Sequence, residues 1–435
     1  MTRTTLGDGQ PYGVAGGEVP RAMKITSAMI ALVLVGPVAV GQGDVAPVSL
    51  ALRGDPAQDL DLGATHIAPM PTRSTANGPI DSAPYYCMRA IEDGDQVIPE
   101  GALKRPRRMI GEATDKVMPW LARLDPKIRP SIIWTRNWTI VSLLKGARVA
   151  DLTPEEAVRL RAFFPEITPR SNKLTGHQRA HLWAIRTLRI QGAIKEVMDL
   201  DDNGGLKPSS FSAGYRPLAH KGCELFLFSN PSPHAAFTRH LFQPQTRGLS
   251  GETLGSGPVA AIMLDDAPTG SIRRRMRHAS TLQLVRVHRR LEGGLPAWMQ
   301  IGLAHYFEWR QTKTTRTKKN TAGTLIGATE GLRDWDQAVR DLVASGRAGE
   351  LGALSATPER GLTLQSRLQA WSLVKYLLGV DQGRFTQLCS ALLHTRPGVN
   401  PQQALRTAMK ATYGHETDAV ADGWKTWVLR GSKKK

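Results

Sequence analysis

The stretch RHASTLQLVRVHRRLEGGLPAWMQIGLAHYFE, residues 277–308, decides the fold. It predicts two consecutive helices, one covering about residues 272–291 and the other about 296–310, with Gly293 and Gly294 between them. Strand patterns come before this helix pair and helix patterns follow it. The sequence therefore predicts an α+β fold, in which a small sheet precedes the helix pair and a helical C-terminal region follows it.

The region before the helix pair alternates between strand and helix signals. Residues 134–144 alternate in polarity and are rich in β-branched and aromatic side chains, which predicts a strand. The apolar runs 224–228 and 259–264 predict two buried strands, and residues 234–242 between them predict a short helix. Capping boxes at residues 153–156 and 175–178 predict two further helix starts.

The region after the helix pair is predicted to be helical. Residues 311–321 are polar and basic, which indicates a loop. Helix patterns then cover residues 332–346, 364–379, 382–394, 401–412 and 416–429.

The N-terminal residues have the pattern of an export signal. Met23 and Lys24 precede an apolar core at residues 28–40 and small residues, so we expect residues 1–41 to be an extension plus a secretory signal peptide. An uncleaved membrane anchor is the alternative. Residues 42–85 predict a linker of low order, and residues 86–172 a small α+β region of unknown type. No apolar run predicts a multi-span membrane protein.

The charge balance is strongly basic, with 57 Lys and Arg against 38 Asp and Glu and a net charge of +19. Twelve of the basic residues lie between Arg273 and Lys319, and residues 431–435 form a basic tail. Such a charge favours an anionic partner, but a solvated basic face is the interpretation that we prefer. The few aromatic residues argue against nucleic acid as the partner. Cys87, Cys223 and Cys389 are too widely spaced for a disulfide framework, and the sequence leaves open whether any two of them pair.

The helix pair resembles the core of the peptidase MA-like gluzincins, a family of zinc metallopeptidases of the thermolysin clan. The similarity is carried by seven residues of the second helix and by the helical tail. The seven are Pro296, Trp298, Gly302, Leu303, Ala304, Tyr306 and Phe307. In the tail, residues 370–378, Tyr413, Gly414 and Trp424 fit the same pattern. The resemblance implies a zincin-like domain over residues 173–430.

The resemblance also implies where the zinc site would lie. The first histidine ligand of the family's His-Glu-x-x-His motif falls on His278, and the general base falls on Ala279. The second histidine falls on Leu282 and the downstream glutamate ligand on Ile301. Ala, Leu and Ile neither bind zinc nor transfer protons, so we expect neither catalysis nor a cofactor, the ancestral zinc having been lost.

Three other groups of residues deserve a site hypothesis. A shifted metal site could be built from His278, His305 and Glu308, because His305 and Glu308 lie on the helix face of Ile301. His177 and His181 have metal-ligand spacing on a predicted helix, but we expect them to be surface histidines, with a metal role as the alternative. Residues 199–210 resemble a calcium loop that lacks its final glutamate, but we prefer to interpret them as an acidic, glycine-containing turn at the end of a helix.

The sequence thus predicts an exported, catalytically inactive metallopeptidase-like protein. It would bind a peptide, a protein or an acidic envelope polymer. The alternative is a zinc metallopeptidase, or another hydrolase, with an active site rearranged around His278.

Overall fold

The computed structural model of this chain describes most residues from 86 onward. The described residues are 86–92, scattered residues at 107–121, 129–135, 137–168, 173–198, 222–242, 252–254, 259–264, 269–287, 295–313, 315, 317–319, 324–327, 334–393, 395 and 398–431. All described residues belong to one compact unit. The expected signal peptide, the linker, the calcium-type loop and Lys433–Lys435 lie outside the described residues.

The described strands form an eight-stranded mixed sheet and a separate two-stranded ribbon, β4–β5. They are β1 (Tyr86–Cys87), β2 (Ser131–Trp134), β3 (Trp138–Leu143), β4 (Ala147–Arg148), β5 (Lys173–Leu174), β6 (Cys223–Phe228), β7 (Glu252–Leu254), β8 (Val259–Met263), β9 (Thr317–Lys319) and β10 (Thr324–Gly327). The order in the large sheet is β1-β2-β3-β6-β8-β7-β10-β9. Its centre, β3-β6-β8, is parallel, and every residue of β6 and β8 is buried. This two-sided burial explains why both strands read as continuous apolar runs.

Helices make up most of the remaining described structure. They are α1 (Met88–Glu92), α2 (Pro154–Arg161), α3 (Gly176–Met198), α4 (Pro231–Phe242), α5 (Thr269–Val287), α6 (Ala297–Thr312), α7 (Trp335–Ala344), α8 (Leu351–Ala356), α9 (Leu364–Val380), α10 (Gln382–Leu393), α11 (Pro401–Tyr413) and α12 (Thr417–Arg430). The predicted α+β class is confirmed. Among the helices built from described residues, none has the length and apolar character needed to cross a membrane.

Both predicted capping boxes are confirmed. Before α2, the Thr153 hydroxyl accepts from the Glu156 backbone N–H at 3.2 Å, and the Glu156 carboxylate accepts from the Thr153 N–H at 3.1 Å. Before α3, Thr175 and Gln178 exchange the same two bonds at 2.8 and 3.2 Å. Each box satisfies two backbone N–H groups that a helix N-terminus would otherwise leave without partners.

Two strand predictions need correction. Residues 134–144 were expected to form one strand, but they contribute to two, because the chain reverses between Trp134 and Trp138. The Thr135 N–H closes this turn on the Trp138 carbonyl at 2.8 Å. The expected loop 311–321 contains strand β9, which pairs with β10.

The helix pair sits at the centre of the main hydrophobic core. Helix α6 packs against α5 on one side and α9 on another. At Gly302 of α6, an added Cβ would lie 2.6 Å from the Ala370 carbonyl oxygen and 2.8 Å from Val374 Cγ2. Glycine therefore permits the close approach of α6 and α9.

Because β3 pairs with β6, residues on both sides of the expected boundary at 172/173 belong to one sheet.

Candidate functional site

The positions at which the resemblance would place a zinc site lie in the interior of the helix pair. Helix α5 carries His278, Ala279 and Leu282, and helix α6 carries Ile301. All four side chains are fully buried, and the three apolar ones belong to the main hydrophobic core. Methyl and butyl groups offer no lone pair to zinc, so these positions do not fit the family's metal. They fill the interior as ordinary core residues do.

The shifted triad named from the sequence does come together. His278 Nδ1 lies 3.3 Å from Glu308 Oε2, and His305 Nδ1 lies 3.5 Å from the same oxygen. The two imidazole rings are 4.7 Å apart between centroids. One ligand atom from each residue lies within 4.8 Å of the others. Helices α5 and α6 thus converge on one carboxylate, that of Glu308, about two turns beyond Ile301 on α6.

The protein supplies its own charge partners to this triad. Arg274 Nε lies 4.0 Å from Glu308 Oε1, and Thr315 Oγ1 lies 2.8 Å from His305 Nδ1. Burial by itself raises the pKa of Glu308, but hydrogen bonds with His278 and His305 outweigh it and lower the pKa to about 2. Burial lowers the pKa of His305 to about 4 against the opposing effect of Glu308. At neutral pH Glu308 is therefore a carboxylate and His305 is neutral.

One property of the triad favours metal binding, and another argues against a catalytic metal site. Zinc bonds to nitrogen and oxygen place tetrahedral ligand atoms about 3.3–3.5 Å apart, which matches the two distances to Glu308. However, His278, His305 and Glu308 are all fully buried, so neither water nor a substrate reaches them. A catalytic zinc site needs an open coordination position. The geometry suits either a buried ion or a self-contained polar network, and it offers no substrate access.

A second cluster lies between α3 and the first strand of the sheet. His177 Nε2 lies 3.1 Å from His181 Nε2 and 3.1 Å from the sulfur of Cys87. The prediction of two surface histidines is wrong, because His181 is 1% exposed and His177 is only partly exposed. The i,i+4 spacing identified the histidines, but no sequence signal linked them to Cys87, 90 residues earlier. Only the tertiary fold brings the thiol to the pair.

Two phenylalanines cover the imidazoles of this second cluster. The rings of Phe163 and Phe164 lie 4.8 and 4.9 Å from the His181 ring, and Phe164 also lies 5.2 Å from His177. Burial, followed by the proximity of His177, holds the pKa of His181 well below its usual value. His181 is therefore neutral at pH 7.

The basic stretch of α5 is engaged within the protein. Arg273 forms ion pairs with Asp151 and Glu156, and Arg286 pairs with Glu359 at 2.6 Å. Arg275 is buried. The interpretation of a solvated basic face is therefore wrong for these arginines, and Arg273 and Arg286 use their charge to hold α5 against neighbouring segments.

The structure answers the question about cysteine pairing that the sequence left open. The three cysteines are buried thiols, and no two of them form a disulfide. The His415-Glu416 pair, the single His-Glu in the sequence, lies just before α12, where the Glu416 carboxylate accepts from Lys410 at 2.8 Å.

Comparison with known proteins gives no match: no family model, no curated protein and no solved structure is similar to this chain. The argument about function therefore depends on the geometry of these two clusters and of the core around them.

Proposed function

We propose that this chain is a catalytically silent, exported protein with a gluzincin-like scaffold, which acts by binding a peptide or a protein. The observation that carries the proposal is the complete burial of Ala279, Leu282 and Ile301 in the main core. In an active zincin, the same positions would hold the general base and two zinc ligands. Here they contribute packing, and packing does not activate water.

Burial of the remaining polar groups supports the same conclusion. Peptide hydrolysis requires a zinc-bound water beside a substrate carbonyl, and both must enter from solvent. His278, His305 and Glu308 are buried, with Arg274 beside Glu308 and Thr315 beside His305. Removing one member would leave its partners buried without compensation, so the network persists as part of the fold.

The partner is better described as a peptide or protein than as an acidic polymer. A polyanion-binding surface requires exposed cations that are not already paired. Arg273 and Arg286 are mostly buried and paired with carboxylates, and Arg275 is buried. These arginines of α5 are therefore not available to an external polyanion.

The alternative is a zinc hydrolase rearranged around the triad. The specific observation in its favour is the pair of distances from Glu308 Oε2, 3.3 and 3.5 Å, which match the edges of a zinc tetrahedron. This alternative requires α5 and α6 to separate enough for water and substrate to reach His278.

One experiment separates the two candidates. The purified full chain is reconstituted with zinc, desalted, and incubated with casein and with quenched fluorescent peptides, with an active zinc endopeptidase as positive control. We expect no cleavage above that of His278→Ala prepared in parallel. Cleavage that is abolished by a chelator and by His278→Ala, but retained in the matched control His415→Ala, would overturn the proposal and favour the hydrolase.

A further inference from the structure

The cluster of Cys87, His177 and His181 joins two segments that are far apart in the sequence. Cys87 belongs to β1, which pairs with β2 through Cys87 and Ile133. The two histidines lie one turn apart on α3, which packs against β2 and β3. The fold therefore brings a thiol from a short strand onto a histidine pair at the start of a 23-residue helix.

The contacts of His177 Nε2 are difficult to explain by hydrogen bonds alone. An imidazole Nε2 carries either one proton or one lone pair, so it forms one well-directed hydrogen bond. Here the same atom faces two heteroatoms at 3.1 Å, the Cys87 sulfur and His181 Nε2. One metal ion between the three atoms would satisfy all of them at once.

The distances agree with a coordination sphere. Zinc bonds of about 2.3 Å to sulfur and 2.0–2.1 Å to nitrogen separate tetrahedral ligand atoms by about 3.3–3.6 Å. The two contacts of 3.1 Å are slightly shorter, and all three ligand atoms lie within 4.8 Å of one another. A small opening of the cluster would therefore accommodate an ion without a change of backbone.

We propose that Cys87, His177 and His181 form a binding site for a d¹⁰ transition-metal ion, zinc(II) or copper(I). One thiolate and two imidazoles are a donor set that both ions accept, whereas calcium and magnesium prefer oxygen. On binding, the Cys87 thiol releases its proton to solvent and the sulfur bonds to the metal. The bound ion ties β1 to α3.

Partial exposure and an apolar shell allow this cluster to take up a metal ion from solvent. His177 is partly exposed, which gives an ion a route from solvent. Phe163 and Phe164 pack against the imidazoles, and such an apolar shell lowers the local dielectric constant and strengthens metal–ligand bonds. The inference is independent of the proposed function, because a metal clamp between β1 and α3 leaves the buried α5–α6 interior unchanged.

Cobalt(II) is a direct probe, since it replaces zinc and gives a near-ultraviolet charge-transfer band only when a thiolate binds it. The reduced, metal-free full chain is titrated with cobalt(II), and then with zinc(II) or with buffered copper(I). We expect one equivalent of cobalt to produce the thiolate band, and zinc or copper to abolish it. The ion that displaces cobalt at the lower free concentration identifies the preferred metal.

Variants assign the band to this cluster. Cys87→Ser should remove it, and His177→Ala, at a partly exposed position that tolerates truncation, should weaken cobalt binding at least tenfold. Cys389→Ser, which alters a buried thiol outside the cluster, and His278→Ala should leave the band unchanged. Circular dichroism confirms folding of each variant. Absence of a thiolate band in the wild-type protein, or its persistence in folded Cys87→Ser or His177→Ala, would refute the site.

Discussion

Replacing Gly302 by alanine tests how the helix pair is held in the core. The added Cβ would lie 2.6 Å from the Ala370 carbonyl oxygen, 3.0 Å from its carbonyl carbon and 2.8 Å from Val374 Cγ2. Two of these three atoms are backbone of α9 and cannot move without moving the helix. Helices α6 and α9 would have to separate, although both are packed in the main core.

The expected loss of stability in Gly302→Ala follows from the atoms with which the new Cβ would clash. Overpacking of a well-packed core destabilises proteins by about 1–3 kcal/mol, and the upper end applies where backbone must shift. We therefore expect Gly302→Ala to lower the free energy of unfolding by about 3 kcal/mol. The intrinsic preference of helices for alanine over glycine offsets this by at most about 1 kcal/mol.

Urea unfolding followed by tryptophan fluorescence measures the effect, because Trp298 and Trp371 are buried near the contact. Gly352→Ala is the matched control, since its added Cβ would meet only Gln402 Cδ at 4.0 Å. The control should be about 0.5 kcal/mol more stable than the wild-type protein. Equal stability of the two variants would show that the contact between α6 and α9 is looser than the structure indicates.

Three further predictions concern buried charges and thiols. Glu156→Gln should lower the free energy of unfolding by about 3 kcal/mol in urea titrations at pH 7, because Arg186, at 2.9 Å, and Arg273 lose a buried carboxylate partner. Burial raises the pKa of Glu156, but the hydrogen bond and charge of Arg186 outweigh it and lower the pKa overall. The stability that the Glu156 carboxylate contributes is therefore complete above its unfolded pKa of about 4.3, and it is lost as the pH falls through the lower folded pKa. The difference between wild type and Glu156→Gln should therefore shrink below about pH 4, and a constant difference would contradict the assignment. Burial raises the pKa of the Cys223 and Cys389 thiols, so both should resist a thiol reagent in the native protein and react after unfolding; rapid native labelling would show that they are accessible.

The helix pair and most other elements could be predicted because their signals are local. Capping residues, the Gly-Gly interruption and the 3.6-residue period all act within a few residues of the helix they define. The errors occurred where pairing between strands, and not the local sequence, decides which residues form a strand. The chain reverses between Trp134 and Trp138, and the sequence there has no glycine or proline, so the strand pattern continues through the reversal. Strand β9 has the polar sequence Thr-Lys-Lys, and pairing with β10 makes it a strand.

The same limit, that sequence signals are local, applies to the prediction of the two clusters. His278, His305 and Glu308 could be named together because they fall on adjacent helices within 30 residues, where helical spacing relates one face to the next. Cys87 could not be named with His177, because β1 and α3 are brought together only by the sheet between them. Local periodicity finds ligands on the same helix and on adjacent helices, and tertiary structure is needed for the rest.

The cluster around Glu308 and the cluster around His177 differ in their access to solvent, and this difference limits the chemistry that each can perform. Glu308 is sealed with two imidazoles and close to Arg274, so its charge is balanced inside the protein and exchange with solvent requires the helix pair to open. Cys87 and His181 are equally buried, but they meet at the partly exposed His177. An ion can therefore reach the second cluster without disturbing the core. The proposed metal site at Cys87, His177 and His181 is therefore the more accessible of the two clusters, whereas His278 is buried inside the α5–α6 interior.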